Sequence, residues 1–352
     1  MNARRLHDLA TPALVVDADA LDHNLRTMAA ALPGPRMRPH VKAHKCSALA
    51  ARQAAAGHRT FTCATIREAE VLAGAGLGDD ILLANEVLDT RRLGTLVDNG
   101  SARITVAVDS PETVAAAAAG GVPEVVIDVN VGLPRCGCPP DQAGRLADEA
   151  RSRGLEVRGV MGYEGHVVGL DDRAERVRMT ADCMALLLHA HADVGGDIVS
   201  AGGTGTYDIN TWANEMQAGS YALMDTAYDR LGLPFRQALT VLATVISTSA
   251  QGWAVADCGL KAFGMDHGNP TVVDPAGAAV WFLSDEHITF AAGSQPTTQP
   301  GTHPKTQPPP TVGDRIRVVP AHVDPTIAYH ERMHVVSGDD VLETWPIDMR
   351  GW

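Results

Sequence analysis

The sequence predicts an α/β fold in which a (β/α)8 barrel of the TIM type precedes a mostly antiparallel β-domain. Eight short segments that are apolar on both faces alternate with helix-like segments over about 200 residues, which is typical of a buried parallel sheet. From about residue 238 the helical periodicity ends, and strand-like runs separated by turn residues take over. A doubly wound open sheet is the alternative fold for the first part.

The predicted barrel elements follow one another in a regular order. Residues 12–18 read as a strand, and a helix begins near Asp19. The barrel strands are predicted at 36–41, 60–64, 80–84, 103–108, 124–130, 157–163, 197–201 and 220–224. The helices between them are predicted at 45–56, 66–75, 111–119, 141–153 and 171–194. The barrel domain is therefore expected to span 19–237, and the β-domain to comprise 1–18 and 238–352.

The predicted β-domain contains strand-like runs and one segment of low complexity. The runs lie at 239–249, 253–257, 278–283, 315–319, 333–336 and 341–345. Residues 294–311 are rich in Pro, Thr and Gln, and such a composition cannot pack a core. We expect this segment to form a surface loop without a function of its own.

Composition excludes several classes of protein. The chain has 352 residues, 45% of them hydrophobic, a net charge of -13 and a pI of about 5.5. An acidic chain of this kind is not expected to bind nucleic acid or an anionic membrane surface. It has no run of 18 apolar residues, no signal core and no paired framework among its six cysteines, so we expect a soluble cytoplasmic protein. Cys136 and Cys138 form a lone C-x-C pair, which favours packing over metal binding.

The segment that contains the candidate reactive lysine begins in the first predicted barrel strand and continues past its carboxyl end. It reads Arg38-Pro39-His40-Val41-Lys42-Ala43-His44-Lys45. Lys42 is thereby placed at the carboxyl end of a strand, where barrels hold their reactive groups. A lysine shielded from water at that position can lose its proton and form a Schiff base. The alternative is a solvated surface lysine, which position alone would favour.

A glycine-rich turn follows the seventh predicted strand. It reads Ser200-Ala201-Gly202-Gly203-Thr204-Gly205-Thr206. Backbone N–H groups and hydroxyls in such a turn can converge on a phosphate, and this part of a barrel is the usual phosphate site. The alternative is a tight turn that needs positive φ. Tyr221, at the start of the predicted eighth strand, can reach the same phosphate or pack as a core aromatic.

Two further groups follow the fifth and sixth predicted strands. Arg135 can pair with a phenolate or a carboxylate, or it can be an ordinary surface arginine. Tyr163 and His166 belong to the run Tyr163-Glu164-Gly165-His166. The histidine can act as an acid–base group or be a hydrogen-bonded structural residue.

A possible metal pair lies near the C-terminus, in Pro320-Ala321-His322-Val323-Asp324-Pro325. In an extended segment, residues two apart point to the same face, so His322 and Asp324 can share one divalent ion. A bare H-x-D is common, and a solvated pair is the alternative.

These parts together suit pyridoxal phosphate, which needs an amine to bind as an aldimine and anchors for its phosphate and ring. The barrel with its β-domain resembles the alanine-racemase-like class of pyridoxal-phosphate enzymes. More narrowly, the lysine segment, the glycine-rich turn and the His322-Val323-Asp324-Pro325 run are similar to the D-threonine aldolase / D-serine dehydratase family. The resemblance covers nearly the whole chain.

The resemblance implies a role for each candidate residue. Lys42 would be the Schiff-base lysine, Arg135 would lie near the phenolic oxygen of the cofactor, and His166 is a candidate base. His322 and Asp324 would be the metal ligands. The remaining residues expected to contact the cofactor are Tyr163, Ser200, Gly203, Thr204, Gly205 and Tyr221.

The identity of the second ligand favours one reaction within this family. Dehydratases of the family usually carry Cys there and bind zinc, whereas aldolases usually carry Asp and take manganese. Asp324 therefore implies an aldolase that cleaves a D-3-hydroxy amino acid, such as D-threonine or 3-hydroxy-D-aspartate, to glycine and an aldehyde. Carboxylate ligands also favour harder ions, so Mn²⁺ is expected, with Mg²⁺ or Zn²⁺ as alternatives.

Three other functions are weighed against this one. A D-serine or 3-hydroxy-D-aspartate dehydratase would use the same residues and release a 2-oxo acid and ammonia. An amino-acid racemase would need a second base and no metal. A non-catalytic pyridoxal-phosphate carrier would consist of the barrel alone, whereas this chain adds a domain of about 110 residues. The resemblance also implies a homodimer.

Overall fold

A computed structural model describes residues 5–291 and 309–352 of the chain. The predicted loop at 294–311 lies outside the described residues except for its last three positions. The chain divides into two units. A sheet unit comprises Met1–Asn24, Ala222–Arg230 and Pro234–Ile347, and a barrel unit comprises Leu25–Tyr221, Leu231–Leu233 and Asp348–Trp352.

The elements of the described residues alternate through the first part of the chain and become mostly strands afterwards. The strands are β1 (Ala13–Asp17), β2 (Phe61–Cys63), β3 (Ile81–Leu83), β4 (Ile104–Val108), β5 (Glu124–Asp128), β6 (Glu156–Gly162), β7 (Ile198–Ala201), β8 (Glu215–Met216), β9 (Leu239–Thr248), β10 (Trp253–Ala256), β11 (Thr271–Asp274), β12 (Val280–Leu283), β13 (Ile288–Ala291), β14 (Arg315–Val319), β15 (Arg332–Ser337) and β16 (Asp340–Pro346). The helices are α1 (Ala18–Ala31), α2 (Ser47–Ala55), α3 (Ile66–Gly74), α4 (Arg91–Asp98), α5 (Pro111–Ala119), α6 (Ala143–Ser152), α7 (Arg173–Val194), α8 (Thr226–Asp229) and α9 (Val323–Tyr329).

The barrel unit is built on a parallel sheet in the order β2-β3-β4-β5-β6-β7-β8. The segment 37–40 joins the two edges of this sheet. Met37 forms a parallel bridge with Met216 of β8, and His40 forms one with Thr62 of β2. The N–H of His40 also donates to Ala218 at 3.0 Å. Eight parallel segments thus close a ring, which confirms the predicted barrel.

Two of the predicted barrel strands differ from the observed ones. The prediction of a strand at 220–224 was wrong, because Ser220–Ala222 forms a turn of 3-10 helix and the eighth strand is the two-residue β8. The first predicted strand, at 36–41, contributes only the two bridges just described, and Val41–Ala43 forms another 3-10 turn.

The helices of the barrel begin at side chains that satisfy their first N–H groups. Thr65 and Glu68 form a capping box at the start of α3, and Ser110 accepts from Thr113 ahead of Pro111 at the start of α5. Asp172 caps α7 by accepting from two backbone N–H groups. Buried Val, Ile and Leu residues of the strands pack against the apolar faces of these helices.

One layer of the barrel interior is polar. Arg158 donates to both carboxylate oxygens of Asp80, at 2.9 and 2.8 Å, and to the Thr105 hydroxyl at 2.6 Å. Arg38 donates to Asp80 at 3.1 Å, and its Nε lies 2.8 Å from Glu215 without hydrogen-bond alignment. Burial alone would raise the pKa of Asp80, but the two guanidinium groups outweigh it and lower the pKa to about 2. The strands are thus held together inside the ring by ion pairs.

The sheet unit contains a mostly antiparallel sheet in the order β12-β13-β10-β9-β1-β15-β16, with β14 pairing both β9 and β11. The exception is β1, which pairs parallel to β15 and antiparallel to β9. This confirms the predicted antiparallel character of the second part of the fold. Within the described residues, β11, β13 and α9 were not predicted. No described helix combines the length and the apolar character that crossing a bilayer requires.

Candidate active site

Lys42 lies directly after the segment that closes the barrel. It belongs to the 3-10 turn Val41–Ala43, and its backbone N–H donates to the Nδ1 of His40, the preceding cap residue, at 3.4 Å. The side chain is half-buried. The turn therefore holds the lysine at the carboxyl-end rim of the first barrel segment, where barrel enzymes place reactive groups.

The second lysine of this segment is engaged elsewhere. The Nζ of Lys45 forms an ion pair with Glu68, which has no exposed surface. The same carboxylate accepts the backbone N–H of Ala64 at 2.6 Å and belongs to the capping box of α3. Removing Lys45 from this pair would leave a buried charge unpaired, which is costly. Lys42 is consequently the better candidate for a reactive amine.

The side chain of Tyr163 lies close to two other predicted site residues, Arg135 and Gly203. The guanidinium carbon of Arg135 lies 5.5 Å from the centre of the Tyr163 ring, within the range of a cation–π contact. The ring also borders the glycine-rich turn, since a Cβ added to Gly203 would lie 3.6 Å from Tyr163 Cε2 and 3.9 Å from its hydroxyl oxygen. The predicted arginine, tyrosine and turn therefore form one neighbourhood.

The glycine-rich turn leaves two N–H groups available for an anion. The N–H of Gly202 donates to Glu164 at 3.0 Å, and that of Gly203 donates to the Thr206 hydroxyl at 3.2 Å. The N–H groups of Thr204 and Gly205 have no acceptor among the described residues. A Cβ at position 205 would lie 1.7 Å from the Val168 carbonyl, so glycine is required there. Adjacent unpaired N–H groups in a tight turn are the geometry that binds phosphate.

The carboxylate of Glu164 accepts hydrogen bonds that hold this turn in place, and Glu164 was not among the predicted site residues. Its side chain is fully buried. It accepts from the Gly202 N–H, from the Thr206 hydroxyl at 3.0 Å and from the Asn210 amide at 3.1 Å. Three donors that converge on one carboxylate fix the conformation of the turn. The sequence feature that could have indicated Glu164 is its place in the run Tyr163-Glu164-Gly165-His166, beside the candidate residues Tyr163 and His166.

Two of the predicted cofactor contacts, Ser200 and Tyr221, have side-chain hydrogen-bond partners within the barrel unit. The Ser200 hydroxyl donates to Glu215 at 2.7 Å and accepts from Gln217 at 2.8 Å, so it belongs to the polar barrel interior rather than to the turn. Tyr221 is fully buried, and its hydroxyl accepts from Gln53 at 3.1 Å. Burial raises the pKa of that hydroxyl. The backbone N–H of Tyr221 also donates to the Thr204 hydroxyl at 3.0 Å, so this buried aromatic lies against the glycine-rich turn.

His166 packs against Gly132 and Cys183. A Cβ at Gly132 would lie 3.2 Å from the imidazole, and the Nε2 atom is 3.8 Å from the Cys183 sulfur. The Nδ1 atom is buried and has no hydrogen-bond partner among the described residues. A buried nitrogen without a partner is unfavourable unless a bound group supplies one. This feature fits an acid–base or ligand-contacting histidine better than a structural one.

An acidic cluster lies near Arg135 and was not predicted. Burial raises the pKa of the Asp128 carboxyl, the adjacent Glu86 raises it further, and the Arg135 guanidinium acts in the opposite direction. A hydrogen bond with Glu86, together with burial, raises the pKa of the Cys136 thiol to about 12. Burial likewise raises the pKa of Cys138 to about 12. Cys136 also lies with Glu86 and Asp109 in a group whose ligand-type atoms are all within 4.8 Å of one another.

The H-x-D pair lies in the sheet unit, and its local conformation differs from the predicted one. The two residues do not share an extended segment, because His322 precedes α9 and Asp324 lies in the first turn of that helix. They are nevertheless close, with His322 Nε2 3.9 Å from Asp324 Oδ1. Asp266 and His267 approach the same imidazole, and neither was predicted. Imidazole and carboxylate form a donor set that suits a divalent ion such as Mn²⁺ or Zn²⁺.

Comparison with known proteins agrees with this combination of a barrel and a mostly antiparallel sheet. The family model for the N-terminal domain of alanine racemase matches residues 16–227, and the model for a putative serine dehydratase domain matches 238–336. The protein is thus an enzyme with the alanine-racemase-like fold. The chain belongs to the D-threonine aldolase / D-serine dehydratase-like family of pyridoxal-phosphate enzymes.

Individual relatives span nearly the whole chain. A D-threonine aldolase from Arthrobacter sp. is 34% identical over 97% of this chain and 93% of the relative. A 3-hydroxy-D-aspartate aldolase from Paracoccus denitrificans (strain Pd 1222) is 30% identical over 98% of this chain and 93% of the relative. The crystal structure of D-threonine aldolase from Filomicrobium marinum matches with a TM-score of 0.88 and 33% identity, covering 99% of this chain and 98% of that one.

Proposed function

We propose that the protein is a pyridoxal-phosphate- and divalent-metal-dependent aldolase that cleaves a D-3-hydroxy amino acid to glycine and an aldehyde. The observation on which the choice of aldolase depends is Asp324, a carboxylate that faces His322 at 3.9 Å. An oxygen ligand in that position favours a hard ion over zinc. The similarity to two aldolases over nearly the whole chain supports the same choice.

The barrel unit supplies the residues that would hold pyridoxal phosphate. The unpaired N–H groups of Thr204 and Gly205 suit its phosphate, and the half-buried amine of Lys42 suits its aldehyde carbon. Arg135 and Tyr163 would border its ring. When bound, the cofactor supplies an electron sink for the carbanion left by cleavage of the Cα–Cβ bond.

The residues of the chain would then move the protons and hold the ion. His166, with its unpartnered Nδ1, is the candidate base for the substrate hydroxyl proton. The amine of Lys42 would return a proton to the product carbon. His322 and Asp324 would hold the divalent ion, whose chemistry is to lower the pKa of a coordinated hydroxyl.

The second candidate function is a dehydratase that releases a 2-oxo acid and ammonia. The match of residues 238–336 to the putative serine dehydratase model favours it. It would use the same lysine and the same metal pair, with Lys42 removing the α-proton instead. The geometry of these residues is compatible with both reactions, so identifying the products is what distinguishes an aldolase from a dehydratase.

A product assay with the purified protein separates the two functions. The protein is supplied with pyridoxal phosphate, Mn²⁺ and either D-threonine or 3-hydroxy-D-aspartate. We expect glycine and an aldehyde in equal amounts. A 2-oxo acid with ammonia would replace the aldolase by the dehydratase. Neither product, from a protein that binds the cofactor, would reopen the racemase and carrier functions.

Removing the metal ligand tests the proposed role of Asp324. Asp324→Ala should lower turnover by about 10²-fold or more, since one electrostatic contact to the reacting oxygen is worth about that much. Cofactor absorbance should stay at the level of the unmodified protein, because Lys42 is untouched. Asp274→Ala, an exposed aspartate of the same unit, is the matched control. Full turnover by Asp324→Ala in the presence of EDTA would exclude this residue as a metal ligand.

We further propose a homodimer in a reducing compartment. The dimer is expected from the family resemblance. None of the six cysteines, all of which lie in the described part of the chain, forms a disulfide, which supports the compartment. Sedimentation equilibrium would give twice the 37.1 kDa of the chain if the dimer forms.

A further inference from the structure

The imidazole of His322 is held through its other ring nitrogen by a residue far away in the sequence. Asp266, in the connection between β10 and β11, places its Oδ2 atom 2.6 Å from His322 Nδ1. The Nε2 atom of the same ring lies 3.9 Å from Asp324. The two nitrogens of one imidazole therefore face two different carboxylates.

The short contact with Asp266 determines where the ring carries its hydrogen. An ionised carboxylate can only accept, so His322 Nδ1 must be the donor. The neutral ring then keeps its lone pair on Nε2, which is the atom that faces Asp324. His322 Nε2 and Asp324 Oδ1 are the two atoms that would hold a divalent ion, which would lower the pKa of a coordinated hydroxyl. The tautomer set by Asp266 is the one that metal binding beside Asp324 requires.

His267 offers a different arrangement, which the geometry disfavours. One ligand-type atom each from Asp266, His267 and His322 lies within 4.8 Å of the others, so these three residues could chelate an ion among themselves. The two imidazoles, however, are stacked at 4.1 Å with an angle of 6° between their planes. Imidazole lone pairs lie in the ring plane, so the lone pairs of two stacked rings lie in separate parallel planes and do not converge on one ion. The 2.6 Å between Asp266 and His322 is also a hydrogen-bond distance that leaves no space for a metal.

We propose that Asp266 is a positioning residue for the divalent ion, acting by accepting the Nδ1–H of His322 and thereby presenting Nε2 to the metal beside Asp324. Such a carboxylate behind a ligating histidine orients the ring and raises its basicity. The inference rests on the proposed metal site and extends it by a residue that would not touch the ion.

Metal affinity and the tautomer of His322 test this role without reference to turnover. The full chain is stripped with EDTA and titrated with Mn²⁺, and free Mn²⁺ is followed by electron paramagnetic resonance. Asp266→Ala should raise the Kd by about 10–100-fold, the usual effect of losing such a partner. Long-range ¹H–¹⁵N spectra of the metal-free protein should show His322 as the Nδ1–H tautomer, and Asp266→Ala should shift it towards Nε2–H. A His322→Gln variant assigns the signal.

The controls separate this inference from the proposed function. The control variant Asp274→Ala should change neither the Kd for Mn²⁺ nor the tautomer of His322. If Asp266 had only a structural role, Asp266→Ala would leave the tautomer of His322 unchanged. The inference is overturned if His322 is Nε2–H in the unmodified protein, or if Asp266→Ala binds Mn²⁺ as tightly as Asp274→Ala. It is also overturned if affinity survives Asp324→Ala but not His267→Ala, which would place the ion among the stacked rings. If the unmodified protein binds no Mn²⁺, the proposed metal function fails together with the inference.

Discussion

Replacing Lys42 with alanine is expected to abolish the long-wavelength absorbance of bound pyridoxal phosphate and to lower turnover by about 10³-fold or more. A positioned acid–base group alone contributes about 10²–10⁴-fold, and Lys42 would also provide the covalent attachment of the cofactor. Absorbance spectroscopy measures the attachment, and glycine release measures the turnover. Borohydride reduction of the unmodified protein, followed by peptide mass spectrometry, should find the cofactor on Lys42.

Two other lysines serve as comparisons for this variant. Lys261 is exposed and pairs with Glu286, so Lys261→Ala should keep both absorbance and turnover. Lys45→Ala should keep the absorbance but lower stability, because Glu68 would be left buried without its partner. A reduced cofactor found on Lys45 would move the reactive amine to that residue and contradict the assignment of Lys42.

Replacing Arg158 with methionine is expected to destabilise the barrel unit by about 3–5 kcal/mol, the usual cost of breaking a buried ion pair. Arg158 makes two of the hydrogen bonds to Asp80, and both side chains are only about one-tenth exposed, at 11% and 12%. Methionine keeps much of the volume but leaves the carboxylate to Arg38 alone. Urea denaturation followed by circular dichroism measures the loss as a lower transition midpoint.

The same substitution on the surface provides the matched control for Arg158→Met. Arg153 forms an i,i+4 pair with Glu149 at 3.0 Å and is 43% exposed, so Arg153→Met should cost only about 0–1 kcal/mol. Equal midpoints for the two variants would show that the polar layer does not contribute to stability.

The pH dependence of stability gives a second measure of the polar layer. The folded-state pKa of Asp80, about 2, lies below its ordinary value of 3.8. Its contribution is therefore fully present above about pH 4 and is lost as the pH falls through the folded pKa. Arg158→Met should flatten this loss between about pH 4 and pH 2, because it removes the main hydrogen-bond donor to Asp80. An unchanged acid slope would assign the slope to other carboxylates.

The strands of the barrel could be predicted to within one or two residues wherever they are buried on both faces. The apolar runs at β3, β4 and β5 illustrate this. The eighth strand could not be found in this way, because one of its two residues is Glu215, which points into the barrel to meet Arg38 and Ser200. A charged residue in a strand becomes understandable only when its partners across the ring are known.

The helix α4 was missed for a similar reason. It contains Gly94, which sequence patterns treat as a helix breaker. In the fold, a Cβ at this position would lie 1.9 Å from the Gly120 carbonyl, so the glycine allows the helix to pack closely against that turn. Tertiary packing outweighs local propensity at this site.

Candidate site residues could be predicted from the sequence where a residue type with a characteristic chemistry directly follows a predicted strand. Lys42, Arg135 and the glycine-rich turn are such cases, and their positions follow from the order of the strands. Glu164 and Asp266 are different, because each acts by accepting hydrogen bonds from residues that only the fold brings near. Ser200 was the reverse case, a residue of the right type whose hydroxyl is already occupied.

The strand β1 cannot form its hydrogen bonds in the sheet until much later parts of the chain have been synthesised. This strand is synthesised before both of its neighbours, β9 and β15, which lie more than 200 residues further along the chain. Leu14 must wait for Met333, more than 300 residues downstream, before it can pair. The barrel segment Leu25–Tyr221 is contiguous and can fold as it is synthesised, whereas the sheet can be completed only after β15 and β16 have been synthesised. Deleting the residues up to Val16 would therefore remove an internal strand of that sheet, between β9 and β15.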